Sequence, residues 1–351
     1  MTFHHPLKSF YRPIFLLLIL SVTYSANSQE IFGWGKSTSY CNPSVVGLPR
    51  PKVFEFKYGL LPGFTIKSDG RQGNFGDETG HIIRNRRIDL RLRFPIINKP
   101  SLTIAGGIKY SHEEFIFRTS DLDRGIDFYK NLEDRPLKSI GLHFYVLKPT
   151  QSNRYFVLRA SFDLNGDYTS SDISLKDFLK FSITPMVGWK KNENLSYAAG
   201  VSYGYTFGKP LIIPVLSINK NFNCNFGLES LLPINIRLRY APNDLNYFYT
   251  GFELSGASYR LDNKDPAFAA YDRLHLFRSE LRYTLTYERS IHDWLWASIE
   301  TGWRKNLRFN VTNAPRARSE IIISNKFSDA VIINASIFVV PPKGLLKKRQ
   351  R

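Results

Sequence analysis

The stretch RNRRIDLRLRFPI, residues 84–96, admits few folds. Counted in steps of two, Ile88, Leu90, Leu92 and Phe94 fall on one side, and Arg87, Asp89, Arg91 and Arg93 on the other. Successive side chains of a strand point to opposite faces, so this segment has one wholly apolar and one wholly charged face. A soluble sheet with one wetted face fits the pattern. A membrane barrel, with lipid outside and a wet lumen, fits it as well.

The same alternation runs through the chain, and helical periodicity is nearly absent. Residues 53–67 set Phe54, Phe56, Tyr58, Leu60, Phe64 and Ile66 against Glu55, Lys57 and Thr65. Residues 195–207 set Leu195, Tyr197, Val201, Tyr203, Tyr205 and Phe207 against small and hydroxylated side chains. Fourteen strands are expected, near 52–67, 84–96, 101–117, 138–148, 153–165, 178–190, 194–207, 210–219, 222–231, 233–241, 247–260, 273–290, 293–309 and 329–340. A merged or bent pair within 210–241 would leave twelve. Short turns such as 97–101 and 148–153 alternate with long polar connections at 68–80, 119–137, 166–177, 261–273 and 310–329. Outer-membrane barrels have this asymmetry, with tight periplasmic turns and longer outer loops.

The ends of the chain agree. His4, His5, Lys8 and Arg12 precede the apolar run Ile14–Val22, and Ala26 and Ser28 follow it. That is the plan of a cleaved secretory signal peptide over residues 1–28. A 29–51 periplasmic segment, a barrel over 52–340 and a basic tail over 341–351 complete the expected organisation. With mean hydropathy −0.25, no later window offers a spanning helix. A closed barrel leaves no sheet edge and satisfies its backbone inside the bilayer. Aromatic residues make up 15% of the chain. Trp189, Tyr240, Tyr247, Tyr249, Trp294, Trp296 and Trp303 sit near segment ends, as an interfacial belt requires. The expected fold is therefore a transmembrane antiparallel up-and-down β-barrel in a Gram-negative outer membrane.

The segments IIPVLSINKNF (212–222) and FGLESLLPINIRLRY (226–240) resemble a family of bacterial outer-membrane β-barrel proteins catalogued as a domain of unknown function. The likeness extends over about residues 50–340. It implies the fold and the location, with assembly by the barrel-assembly machinery, and it carries over no catalytic residues. Such chains often finish on an aromatic residue, whereas here PPKGLLKKRQR follows Phe338.

A net charge of +18 in an exported barrel points away from nucleic acid and towards lipopolysaccharide phosphates or a small anionic solute. The lumen parity collects Lys57, Arg87, Arg91, Arg93, Lys109, Arg159, Lys180, Arg237, Arg239, Arg278, Arg282 and Arg304. Against them stand Glu55, Asp89, Glu113, Asp163, Glu253, Glu280, Glu288 and Glu300. Two readings follow: a lumen filled by cross-strand ion pairs, or a small pore that prefers anions. Arg84 and Arg86 have lipid-facing parity, where an arginine at the bilayer midplane costs about 2–4 kcal/mol. They are expected at the outer rim, against lipopolysaccharide or snorkelling to water.

Signals for an enzyme are poor. No nucleophile elbow, phosphate loop or zinc spacing occurs. No catalytic residue, cofactor or metal is expected. His112 and His143 have opposite parity. Cys41 and Cys224 are not expected to pair, because Cys224 has lipid-facing parity. A lipid-modifying enzyme and a surface adhesin, acting through the loops at 119–137 and 310–329, are the alternatives to a structural or channel barrel.

Overall fold

Alternation becomes geometry in the computed structural model, which describes residues 41–343 apart from 42–43, 46–47, 72–76, 123–126, 151, 170–173, 262–270 and 272–273. The expected signal peptide, residues 29–40 and the tail beyond 343 lie outside the described residues. The strands are β1 (Phe54–Gly70), β2 (Glu78–Lys99), β3 (Leu102–Phe117), β4 (Leu137–Pro149), β5 (Arg154–Gly166), β6 (Leu179–Asn192), β7 (Leu195–Gly204), β8 (Leu211–Asn221), β9 (Phe226–Leu232), β10 (Asn235–Asn243), β11 (Asn246–Leu261), β12 (Leu274–Ser290), β13 (Leu295–Thr312), β14 (Ile321–Phe327) and β15 (Ala330–Val339). Each pairs antiparallel with its sequence neighbour as far as β13, and β1 closes the sheet on β14 and β15. β14 and β15 both run between β13 and β1, one above the other. Fifteen segments therefore make fourteen staves of a closed barrel, and the twelve-strand alternative falls.

Two loop expectations need correction. The stretch 310–329 is not one long loop, because β14 occupies Ile321–Phe327. The stretch 119–137 contains two helices, α1 (Thr119–Leu122) and α2 (Asp127–Asp134). A third short helix, α3 (Leu175–Phe178), precedes β6.

The lower barrel follows the sequence parity. Leu92, Ile108, Leu142, Phe162, Val187, Leu238 and Phe252 stand exposed on the outside. Between them, inward positions such as Asp89, Thr103, Ser139 and Asp163 are buried. An apolar exterior around a polar interior is what a bilayer stabilises.

The upper barrel inverts this order. Phe64 and Ile66, expected to face lipid, are buried inside the barrel, whereas Phe56 on the same counted parity is exposed outside. The phase slips at Pro62 and Gly63, which are both exposed. Neighbouring staves slip at the same height. β2 shifts register between Ile82 and Arg84, β13 between Asn306 and Arg308, and the last stave breaks at Ser328 and Asp329. In β2 and β13 the slip is a β-bulge, one unpaired residue beyond which the strand changes face; β1 changes face at the same level while keeping its register with its neighbours. Above this ring, Phe115, Phe117, Leu276, Phe309, Val311, Ile323 and Phe327 fill the interior, with Phe128, Tyr129 and Leu132 from α2 packed among them. Outside, Lys67, Asp69 and Lys326 are exposed to water.

Strand length explains the inversion. The 22 residues of β2 extend far beyond what a bilayer needs. At roughly 3.3 Å per residue and a ~40° tilt they rise about 55 Å, against an apolar belt of about 25 Å. The protruding part meets water and folds as a soluble domain does, apolar inside. Tyr129 anchors α2 through its hydroxyl, 2.7 Å from Ser68 Oγ, which in turn donates to Asn325 Oδ1 at 2.5 Å. Burial pushes the Tyr129 phenol up to about 12, so it stays a neutral donor.

One wall is low. β9 has only 7 residues and β10 has 9. Above them β5 and β11 meet directly, Gly166 pairing with Arg260 in parallel register. The β7–β8 tip, residues 205–210, reaches across this gap onto β12 and β13. Gly208, at φ +81°, lies against the Arg278 carbonyl, and a Cβ there would meet that oxygen at 2.7 Å. Arg308 donates to the Phe207 carbonyl at 2.9 Å and Ser279 to that of Thr206 at 3.4 Å.

Candidate functional site: a charged lumen closed at its outer end

The inward face of the lower barrel is layered. At the end of the barrel that carries the short turns, Tyr247, Tyr249, Trp296, Phe338 and Val340 form an apolar cluster. This corrects the expected belt, because Tyr247, Tyr249 and Trp296 point into the barrel. Tyr240, Trp294 and Trp303 remain exposed outside, and Trp189 stacks on Tyr197 at 5.7 Å. Across the mouth, Leu147, Tyr155, Val157, Met186, Ala198, Val215 and Leu231 make a second apolar wall.

Between these two walls Cys41, Ser44, Val45 and residues 48–52 form a strap. The Cys41 N–H donates to the Thr150 carbonyl at 2.9 Å, and Cys41 packs on the second wall. At the other end, Arg50 binds Asp293 at 3.1 Å and the Pro341 carbonyl at 2.7 Å. Lys52 pairs with Glu55 at 2.9 Å and Glu288 at 2.8 Å, and lies 3.9 Å from the centre of the Phe338 ring. The segment expected as a periplasmic extension is thus partly built into the mouth. Both cysteines are free, Cys41 half-buried and Cys224 exposed.

Above the strap lies a cavity of about 1480 Å³, lined among the described residues by ten basic and seven acidic side chains. Glu55, Lys57, Arg87, Asp89, Arg91, Arg93, Arg159, Arg237, Arg282 and Glu300 all line it, as do Glu253 and Glu288. Most of these charges are paired, across strands or, for Arg87 and Asp89, along one strand. Lys57 lies 3.4 Å from Glu300, Arg87 3.0 Å from Asp89, and Arg91 3.8 Å from Glu55. Arg93 donates to the Lys52 carbonyl at 3.2 Å. Arg159 faces the Tyr145 ring at 6.0 Å. Arg237 and Arg239 share Glu229, at 2.5 and 3.1 Å, and Arg239 also donates to Asn221 Oδ1 at 2.8 Å.

Higher still, a buried ladder joins Glu113 to Arg278, Arg278 to Glu280 at 3.1 Å, and Glu280 to Arg282. Arg304 ends the polar part. Its guanidinium sits 4.4 Å from the Phe64 ring and 5.2 Å from Phe327, and it donates to the Ser328 carbonyl at 3.3 Å. It therefore marks the level of the bulges, where charged lumen gives way to apolar cap. Beneath the cap, a second cavity of about 270 Å³ holds Lys109, Asp163, Lys180 and Arg278 on its wall.

Arg84 and Arg86 face outward just below the bulge ring, Arg86 opposite Glu114. His112, on the same outer face, contacts Glu114 at 2.9 Å, whereas His143 points inward, 3.5 Å from Asp163. Among the described residues no group of three or more His, Cys, Asp or Glu side chains could hold a metal ion.

Sequence reasoning missed Glu229 and Lys52, which pair with charges it did name. Glu229 lies in a seven-residue strand with apolar Leu231 on the same parity, so its alternation is faint. Lys52 stands before the first strand, where alternation carries no signal.

No family model matches the chain, and no curated protein is similar to it. Among solved structures it is similar to a FadL homologue of Pseudomonas aeruginosa, with 9% identity and a TM-score of 0.40 over 89% of this chain and 98% of that one. An outer membrane channel from Pseudomonas putida F1 matches at 8% identity and a TM-score of 0.39, over 84% and 98%. The Pseudomonas putida toluene transporter TodX matches at 11% and 0.32, over 83% and 90%.

Proposed function

We propose that this chain is an outer-membrane channel for small, preferentially anionic solutes, held closed in the conformation described. The observation that carries the proposal is the 1480 Å³ charge-lined chamber, with its basic excess, between a strap below and a cap above. Energetics choose which closure moves. The cap buries 21 apolar residues. At about 1.5–3 kcal/mol per large side chain, opening it costs tens of kcal/mol. The strap and the β7–β8 tip are each held by a handful of hydrogen bonds and ion pairs, worth roughly 0.5–1.5 kcal/mol apiece. Solute enters past the strap and leaves past the tip, while the cap stays shut. Export by a cleaved signal peptide, and kinship with the outer-membrane family that 212–240 resemble, belong to the same proposal.

Planar-bilayer recording tests it. The wild-type chain should conduct rarely. Arg50→Ala with Arg308→Ala, which frees strap and tip, should give steadier currents with anion preference. Silence from both proteins, folded by gel mobility, would leave the filled-scaffold reading in place of the channel. For the adhesin alternative, α2 is packed into the cap rather than forming part of a free loop.

A further inference from the structure

We infer that the inner 270 Å³ cavity is a binding site for a small hydroxylated organic acid, such as a sugar acid. The inference rests on the channel reading only for how the solute arrives. The two cavities adjoin, since Arg87 and Ser255 line both. Register builds the site. Lys109, Gly141, Asp163 and Lys180 occupy one cross-strand row over β3, β4, β5 and β6. Gly141 leaves room in that row for the Asp163 carboxylate, since a Cβ there would lie 1.8 Å from Oδ1 and push it aside.

Partners of the two lysines are poor. Lys180 is 5% exposed, yet among the described residues its only hydrogen bond is to the Asp177 carbonyl at 3.5 Å, and no carboxylate lies within ion-pair reach of it. Lys109 lies 3.7 Å from Asp163 Oδ1, beyond hydrogen-bond distance, and shares that carboxylate with His143. Burying an ammonium without a close partner is costly. Arg87 and Arg278 on the same wall are already paired, so the two lysines are the cations available to a ligand carboxylate.

The rest of the wall asks for hydroxyls. Ser139 Oγ and Asn165 Oδ1 are buried without a partner, as is Asp163 Oδ1 in hydrogen-bonding terms. Asn165 and Asp163 offer acceptors that a bare anion cannot satisfy and a ligand hydroxyl can. Thr184 and Ser202, bonded to each other at 2.7 Å, add two more hydroxyls to the same cavity. One anionic group on the lysines with several hydroxyls on Ser139, Asn165 and Asp163 satisfies these three oxygens together.

Isothermal titration of the full chain in detergent tests this with D-gluconate, D-glucose and acetate as probes. Gluconate should bind at least tenfold more tightly than either of the others. Lys180→Met should weaken gluconate at least tenfold. Ser139→Ala, which removes an unpartnered hydroxyl and so should fold normally, should weaken it several-fold. Equal binding of acetate and gluconate would reduce the site to general charge attraction and overturn the inference, as would no gluconate binding to wild type. The two proposals fail separately: gluconate binding to a chain silent in bilayers keeps the site and sinks the channel, and conductance without gluconate binding does the reverse.

Discussion

Phe56 and Phe64 stand eight residues apart in β1, on the same side by simple counting, and the switch of face at Pro62–Gly63 sends them to opposite environments. Phe56 is 39% exposed on the outer face, where lipid covers it. Phe64 is 5% exposed, edge-on to Phe327 at 5.3 Å and beneath the Arg304 guanidinium at 4.4 Å. Truncating a packed phenylalanine costs about 3–5 kcal/mol, because the cavity cannot collapse. Phe56 lies outside the cap core and its truncation against fluid lipid leaves no cavity, so less than ~1.4 kcal/mol should reach cap opening. With every ~1.4 kcal/mol a factor of ten, Phe64→Ala should raise the open fraction of the cap roughly 100- to 4000-fold. Phe56→Ala should raise it less than about tenfold by the same conversion. The lower barrel does not depend on the cap core, so boiling-dependent gel mobility should persist in both variants. Limited proteolysis in proteoliposomes supplies the readout, scored by cleavage within 119–136, where α2 would be released. Equal cleavage of the two variants would refute the inverted core, since it would mean that residue 64 sits in no packed interior.

Two further outcomes follow from the same geometry. Cysteines replacing Arg87, Arg91 and Arg93 should react with small water-soluble thiol reagents, those replacing Leu90 and Leu92 only with membrane-partitioning ones, and those replacing Phe64 and Ile66 with neither; labelling blind to this parity would remove β2 from the membrane. Arg84→Ala with Arg86→Ala should lower the unfolding temperature in lipopolysaccharide-containing bilayers by a few degrees and leave it unchanged in zwitterionic ones, as expected if both guanidinia meet lipid phosphates; an equal change in both bilayers would assign them a role within the protein alone.

Much of the lower barrel was legible in the residue order because lipid and a wet lumen demand opposite polarity. Arg87 to Phe94 show that demand residue by residue, and the fourteen staves follow from repeating it. The lumen charges were legible as a set but not as partners, because pairing is a property of register between strands. Nothing in the spacing of Arg237 and Arg239 names Glu229. The strap was hidden for a different reason. Its contacts are made by Arg50 and Lys52 outside any alternating segment, to Asp293 and Glu288 far along the chain.

The cap is the instructive miss, since its signal was present and pointed the wrong way. In β3 the parity never slips. Lys109, Ser111 and Glu113 face inward, and the next two residues of that set are Phe115 and Phe117, while His112 and Glu114 face outward. The polarity reverses there with the phase intact. In β1 the phase reverses at Pro62–Gly63 while the apolar side, counted by twos, continues unbroken through Phe64 and Ile66. Alternation reports only that two faces differ; which face is apolar depends on whether lipid or water lies outside at that height. A strand longer than the bilayer must therefore change sign once. It can do so by changing residues, as β3 does, or by changing face, as β1 does in register with its neighbours and β2 does at a bulge. Only the first leaves a trace that counting can find. The two must occur at one level around the barrel, and Arg304, held between the last lumen carboxylates and the rings of Phe64 and Phe327, stands at that level. Its charge is matched to the polar side and its stacking surface to the apolar side, so Arg304→Leu should keep the cap packed but leave Glu280 with one cationic neighbour fewer, and Arg304→Glu should break the boundary itself.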